Sequence, residues 1–150
     1  VATLEEVAAL LDGSEAAGPA TDEMIASAER ELGAEFPPSY RQFLSKYGAA
    51  LCRGFELAGV FKVENQDEPP LWSSVVTATK QLRRASGSIP TGYLAISDDG
   101  GDYKFFLATD RKNPGAECPV VVLGPGKDGV VVASDFLDFV VRTFQNQLVF

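Results

Sequence analysis

The stretch Tyr93–Thr109, YLAISDDGGDYKFFLAT, decides how the rest of the chain is read. Two apolar runs, Gly92–Ser97 and Asp102–Thr109, flank a short segment rich in Asp and Gly. Runs of this length with β-branched and aromatic residues predict strands. A connection of four or five residues returns the chain beside itself, so the two strands pair antiparallel. Asp bonds its own backbone in turns and Gly takes positive φ. A hairpin turn therefore accounts for DDGG.

The same segment also carries three carboxylates, Asp98, Asp99 and Asp102, which raises two chemical alternatives. A calcium EF-hand loop needs alternating acids, a Gly at the sixth place and a Glu at the twelfth. Counted from Asp98 the twelfth residue is Thr109, and adjacent Asp98 and Asp99 point apart on extended backbone. An acid/base pair needs one carboxylate moved into an environment that separates the two pKa values. A Gly-Gly turn at the surface offers no such environment, and no partner residue in the sequence argues for a cleft.

Outward from the hairpin, the segments Pro119–Gly124 and Gly129–Ser134 predict two further strands joined by PGKDG. LGPGKDG lacks the spacing of a phosphate-binding loop and leads into a strand rather than a helix. Phe55–Val63 alternates well enough for one strand or two, with a bend at Gly59.

Helical spacing governs the front of the chain. In Thr3–Asp12, Leu4, Val7, Leu10 and Leu11 share a face behind a Thr3 cap. Gly13–Asp22 is a connection of small residues. In Thr21–Gly33, Thr21 caps, Asp22 and Glu23 complement the positive helix end, and Gly33 supplies a left-handed stop. Its inward face is Met24 or Ile25 with Ala28 and Leu32. A third helix opens at Pro37-Pro38, buries Tyr40, Phe43, Leu44 and Tyr47, and ends at Gly48. Leu71–Ala85 predicts a mid-chain helix through Val75, Val76, Thr79 and Leu82. A last helix starts at Ser134 and buries Phe136, Phe139, Val140 and Phe144. Helices clustered at the front, one mid-chain helix and one at the C-terminus, around an antiparallel sheet of about four to six strands, define an α+β fold in a single domain over 1–150.

Composition narrows the function. The 150 residues carry a net charge of −8, which disfavours direct binding to nucleic acid phosphates and suits steering toward a basic partner. There is no histidine, so the usual general base near neutral pH and the commonest zinc ligand are missing. The serines Ser73, Ser74, Ser86 and Ser88 have no histidine to activate them and no nucleophile-elbow context. Cys52 and Cys118 form no CxxC pair and read as small buried residues. The basic cluster Lys80, Arg83 and Arg84 reads as solvated helix surface. No apolar run approaches the ~18 residues that span a bilayer, and no signal peptide is visible. A cytoplasmic location follows as the expectation, with Val1 in place of an initiating Met fitting a trimmed start.

The ordered motifs resemble a known family. Glu29, Leu32, Gly33, Phe36, Pro37, Tyr40, Phe43, Leu44 and Gly48 fall where the SMI1/KNR4 (SUKH) domains place a helix ending in E-x-x-L-G, an L/F-P step, a spaced Tyr, an F-L pair and a helix-ending N-G. The Tyr93–Thr109 hairpin resembles that family's second marker. Ser134–Phe144 resembles its closing helix, with Asp135 intervening between Ser134 and Phe136. The step Tyr47-Gly48 departs from the usual Asn-Gly, which leaves Gly48 to carry the helix-ending conformation. The resemblance implies a non-enzymatic binding domain with no cofactor and no catalytic or metal-binding residues. Bacterial members are typically immunity proteins that bind and neutralise polymorphic toxins, often nucleases with basic active sites. Fungal members act as interaction scaffolds. A carboxylate-dependent hydrolase or metal protein is the remaining alternative. The expected contacts with a basic partner are Glu64, Asp67 and Glu68 in an acidic loop, Trp72 as an aromatic anchor, and Asp98, Asp99 and Asp102 in the turn.

Overall fold

The structure, a computed structural model, describes residues 2–62, 72–85 and 89–150. The chain runs α1 (Leu4–Leu10), β1 (Glu15–Ala16), α2 (Asp22–Leu32), α3 (Pro38–Tyr47), β2 (Ala50–Cys52), β3 (Phe55–Leu57), α4 (Val75–Arg84), β4 (Tyr93–Asp98), β5 (Lys104–Ala108), β6 (Val120–Gly124), β7 (Lys127–Ala133) and α5 (Phe136–Phe144). Two antiparallel sheets form, one of order β1-β2-β3 and one of order β4-β5-β6-β7. This is an α+β fold, as the patterning predicted. One antiparallel sheet of about four to six strands was expected; its four C-terminal strands form one sheet, whereas the expected Phe55 strand pairs instead with β2, a strand the patterning did not predict. The three-stranded sheet is smaller, and its β1 lies in the small-residue connection where no strand was expected.

The predicted helix ends are met. Thr3 accepts from the Glu6 amide and Thr21 from the Met24 amide. Gly33 closes α2 at φ 65°, ψ 31°. Ile25, Ala28 and Leu32 are the buried face of α2, with Met24 half-buried beside them. Several boundaries differ from expectation. The mid-chain helix, expected from Leu71, begins at Val75, because Ser74 caps it by accepting from the Thr77 amide. The last helix is capped by Asp135, whose carboxylate accepts from the Asp138 amide, so it begins at Phe136 rather than Ser134. Asp138 in turn accepts from the amide and hydroxyl of Ser134, which holds the residue just before the cap. The Phe55 strand stops at Leu57, because the Ala58 amide turns to the Ile96 carbonyl of β4 (2.8 Å).

That bond joins the two sheets. A register shift between Ala95 and Ser97 in β4 frees the Ile96 carbonyl for it. The Ala95 amide is taken by the buried Thr79 hydroxyl of α4 at 3.0 Å. The sheet is thus sandwiched. One face packs on the main core, which gathers Val7, Leu32, Tyr40, Phe43, Phe105, Phe136 and Phe139. The other packs Tyr93, Ala95, Phe106 and Val121 beneath Ala78 and Leu82 of α4.

Turn chemistry explains the tight hairpins. Arg53 and Gly54 both take positive φ (54° and 78°) between the paired Cys52 and Phe55, the signature of a two-residue turn matched to sheet twist. Lys127 and Asp128 of PGKDG join β7, leaving Pro125 and Gly126 as the turn. No helix among the described residues is long and apolar enough to cross a membrane.

Glycine does its closest work where three backbones meet. The Gly18 amide bonds the Tyr47 carbonyl, and the Val60 amide bonds the Gly48 carbonyl. A Cβ on Gly59 would lie 1.7 Å from the Gly48 oxygen, and one on Gly48 would lie 2.2 Å from the Gly18 oxygen. Gly48 itself sits at φ 73°, ψ −62°, outside the left-handed helical well that Asn can share. Since the obstructing atoms are backbone, Gly59→Ala is expected to cost about 3 kcal/mol or more. Gly100→Ala, at φ 81° in open space, is expected to cost only about 1–2 kcal/mol. Urea melts of both variants check the contrast; equal losses would show that the crossing relaxes freely.

Candidate partner-binding surface

The turn between β4 and β5 is built by its own carboxylates. Asp98 pairs in register with Lys104, and residues 99–103 close the loop. The Asp98 Oδ1 accepts from the Gly100 amide at 2.8 Å, and the Asp99 Oδ1 from the amides of Gly101 (2.8 Å) and Tyr103 (3.3 Å). Gly100 at φ 81° lets the backbone present these amides. All three Asp side chains are exposed. Each of Asp98 and Asp99 spends one oxygen on the turn and keeps the other toward solvent. The arrangement gathers three carboxylates into a compact negative tip on the hairpin. Among the described residues no group of three or more His, Cys, Asp or Glu side chains is placed to hold a metal ion.

Trp72 is half-buried just ahead of α4. Its neighbour Ser73 donates to the Glu56 carboxylate at 2.7 Å, and Ser97 donates to the Glu56 carbonyl at 2.6 Å. Glu56, Ser73, Ser97, Asp98 and Lys104 line one small depression of about 80 Å³ over Ala95 and Ile96. The structure therefore brings the segment that follows Trp72 beside the base of the acidic hairpin. Glu56 is the acid that sequence reasoning missed. Its exposed place in the alternation of Phe55–Leu57 was the available signal. Glu64, Asp67 and Glu68 lie outside the described residues, as do Ser86 and Ser88. Ser74 is spent as the cap of α4, accepting from the Thr77 amide.

Two other carboxylates serve the fold, Glu29 within the ordered motifs and Glu117 outside them. Glu29 reaches out of α2 to accept from the Phe36 amide at 2.8 Å, and it pairs with Arg41 at 2.6 Å. This explains the E-x-x-L-G…F-P spacing, since the carboxylate fastens the turn that redirects the chain into α3. Pro37 offers no side-chain oxygen at the start of α3. Glu117, far along the chain, supplies the cap instead, accepting from the Ser39 amide at 3.0 Å and the Ser39 hydroxyl at 2.7 Å. Tyr40, wholly buried, donates to the Ala58 carbonyl at 2.6 Å, and burial raises its phenol above the ordinary range.

With this fold and these motifs in place, comparison with known families gives one assignment. The family model SUKH_5, described as SMI1-KNR4 cell-wall, matches residues 3–145. The chain belongs to the SMI1/KNR4 (SUKH) family.

The two thiols are free and buried. Burial pushes Cys118 from about 9 up to about 11, with Lys112 pulling the other way and Glu117 and Asp110 adding to the rise. Thiolate is the reactive form. Native protein at pH 8 is therefore expected to resist iodoacetamide at Cys118, whereas the urea-unfolded chain reacts at both cysteines. The unfolded state loses this proton first as pH rises, so the linked stability is present below about pH 9 and is lost toward about pH 11. Mass spectrometry of alkylated peptides reads the first expectation. Rapid labelling of the native chain would refute it.

Proposed function

We propose that this chain is a non-enzymatic binding domain of the immunity type, acting as a single unit over residues 1–150 inside the cell. In this reading it neutralises a cognate protein toxin by direct contact, and the toxin's binding face is basic, as a nuclease's active site is. The observation that carries the reading is the family match across residues 3–145. The net charge of −8 is compatible with fast, electrostatically guided capture of such a partner. The exposed Asp98, Asp99 and Asp102 hairpin, with Glu56 and Ser73 at its base, is the contact surface in this reading, together with Trp72. Glu64, Asp67 and Glu68, which lie outside the described residues, are further proposed contacts. No cofactor enters the function, which rests on shape and charge.

A second reading, an interaction scaffold without a toxin, draws on the family description, which mentions the cell wall. Gene neighbourhood separates the two, because an immunity protein is encoded beside a large secreted protein ending in a short toxin domain. Coexpression with that toxin domain is expected to protect the cell, and killing despite stable expression would refute the immunity reading.

The contact surface is tested by Asp98→Asn, Asp99→Asn and Asp102→Asn together. Asn preserves the turn's acceptors while removing the charge. Association with the toxin at low salt is expected to slow by about tenfold, with dissociation little changed. An unchanged association rate would move the contact elsewhere.

A further inference from the structure

A cavity of about 480 Å³, lined by none of the hairpin's residues 98–104, lies in a wedge between α2 and α4. The two helices are drawn together at their C-terminal ends. Arg83 donates to the Leu32 carbonyl at 2.9 Å, and Lys80 faces Glu31 at 3.8 Å. Toward their N-terminal halves they part, and Val60 and Phe61 floor the gap. Thr21 and Ser74 cap their own helices there, taking the Met24 and Thr77 amides.

The wedge is lined by the polar Thr21, Ser27, Ser74 and Thr77 as well as by apolar side chains, with Glu23 and Glu31 among its lining residues. Met24, Val60, Phe61 and Val76 are each half-buried, so apolar surface remains open to water. Among the described residues lining it, the charged ones are Glu23 and Glu31, and both are exposed. They are eight residues apart on one helix, which places them on the same face about 12 Å apart along the axis. Glu31 has Lys80 within reach, but that surface pair is long and worth little.

We propose that this wedge seats a basic amphipathic helix of the protein partner. Its apolar side chains enter between Met24, Phe61 and Val76, and two cations about two turns apart meet Glu23 and Glu31. Helix-in-groove recognition asks for this pairing of apolar floor and charged rim. A volume in the range of ordinary ligand sites has room for the anchoring side chains. The proposal rests on the binding-protein reading and adds a second contact, on the opposite side of Ser73-Ser74 from the hairpin.

The probe is a synthetic helical peptide carrying leucines on one face and lysines two turns apart, titrated into the full isotope-labelled chain and followed by NMR. Saturable shifts are expected at Glu23, Met24, Ser27, Phe61, Val76 and Thr77. Glu23→Lys with Glu31→Lys, both on exposed helix surface, is expected to weaken binding by about tenfold. The same peptide with glutamate for lysine is expected not to bind the wild-type chain but to bind the double variant, which shows that the variant is folded. Shifts centred on residues 98–102, equal binding of the acidic peptide by the wild-type chain, or no saturable binding would each overturn the proposal. Coexpression separates this from the broader reading. If the double variant loses the peptide yet protects against the toxin as well as wild type does, the wedge is not the toxin's seat and the immunity reading stands. If wild type fails to protect while the peptide maps to the wedge, the immunity reading falls and the wedge remains a site for a basic helix.

Discussion

The contact on which most of the structure depends has no side chain in it. At Gly18, Gly48 and Gly59 three backbone segments pass so closely that a Cβ on Gly48 or Gly59 would overlap a carbonyl oxygen of the next segment. From this crossing the chain leaves in every direction that matters. Gly48 ends α3, the Val60 amide is held by the Gly48 carbonyl, and the Val75 amide at the start of α4 is held by the Gly59 carbonyl. The Gly59 amide bonds the Ser73 carbonyl, so Trp72 and Ser73 are placed by the same junction. Both surfaces argued for binding, the hairpin base and the wedge floor at Val60 and Phe61, are set by where these glycines meet.

Around the junction, buried or half-buried polar groups do the fastening that apolar packing cannot specify. Tyr40 ties α3 to Ala58, and Thr79 supplies the acceptor that the bulge in β4 leaves open. Glu29 and Glu117 bracket the start of α3 from opposite ends of the sequence. Such groups are costly to bury unpaired, so each one holds its neighbours to a single arrangement. They also explain why the motifs persuade only as an ordered set. Most of these residues face inward, and they identify the fold rather than the partner. In the proposed reading, contact with a partner falls to exposed positions such as Asp98, Asp99 and Asp102.

Local signals carried much of this into the sequence. Thr3, Thr21 and Gly33 announced helix ends, and DDGG between apolar runs announced the hairpin, because caps and turns are settled by a few neighbouring residues. The boundary at Asp135 was misread because Ser134 and Asp135 are both capping types, and the choice fell to the bonds that Asp138 makes with each. β1 was invisible because two residues have no period, and Glu15 and Ala16 are strand only by pairing with Leu51 and Ala50. Glu117 as a cap for Ser39 spans 78 residues, a distance no spacing rule reaches. Of the expected contact residues, the structure keeps the three Asp of the turn exposed and sets the segment after Trp72 beside them. It adds Glu56, whose role appears only when β3 is laid against β4.

In the proposed reading, the α+β domain presents its exposed acids and the wedge between α2 and α4 to a basic protein. Calorimetric titration of the purified chain with the toxin domain encoded beside its gene, at low and high salt and with toxin activity read in the same samples, tests this most directly. The account predicts a saturable complex that weakens as salt rises and toxin activity that falls in proportion to the complex formed. No heat of binding, or a complex that leaves the toxin fully active, would contradict it.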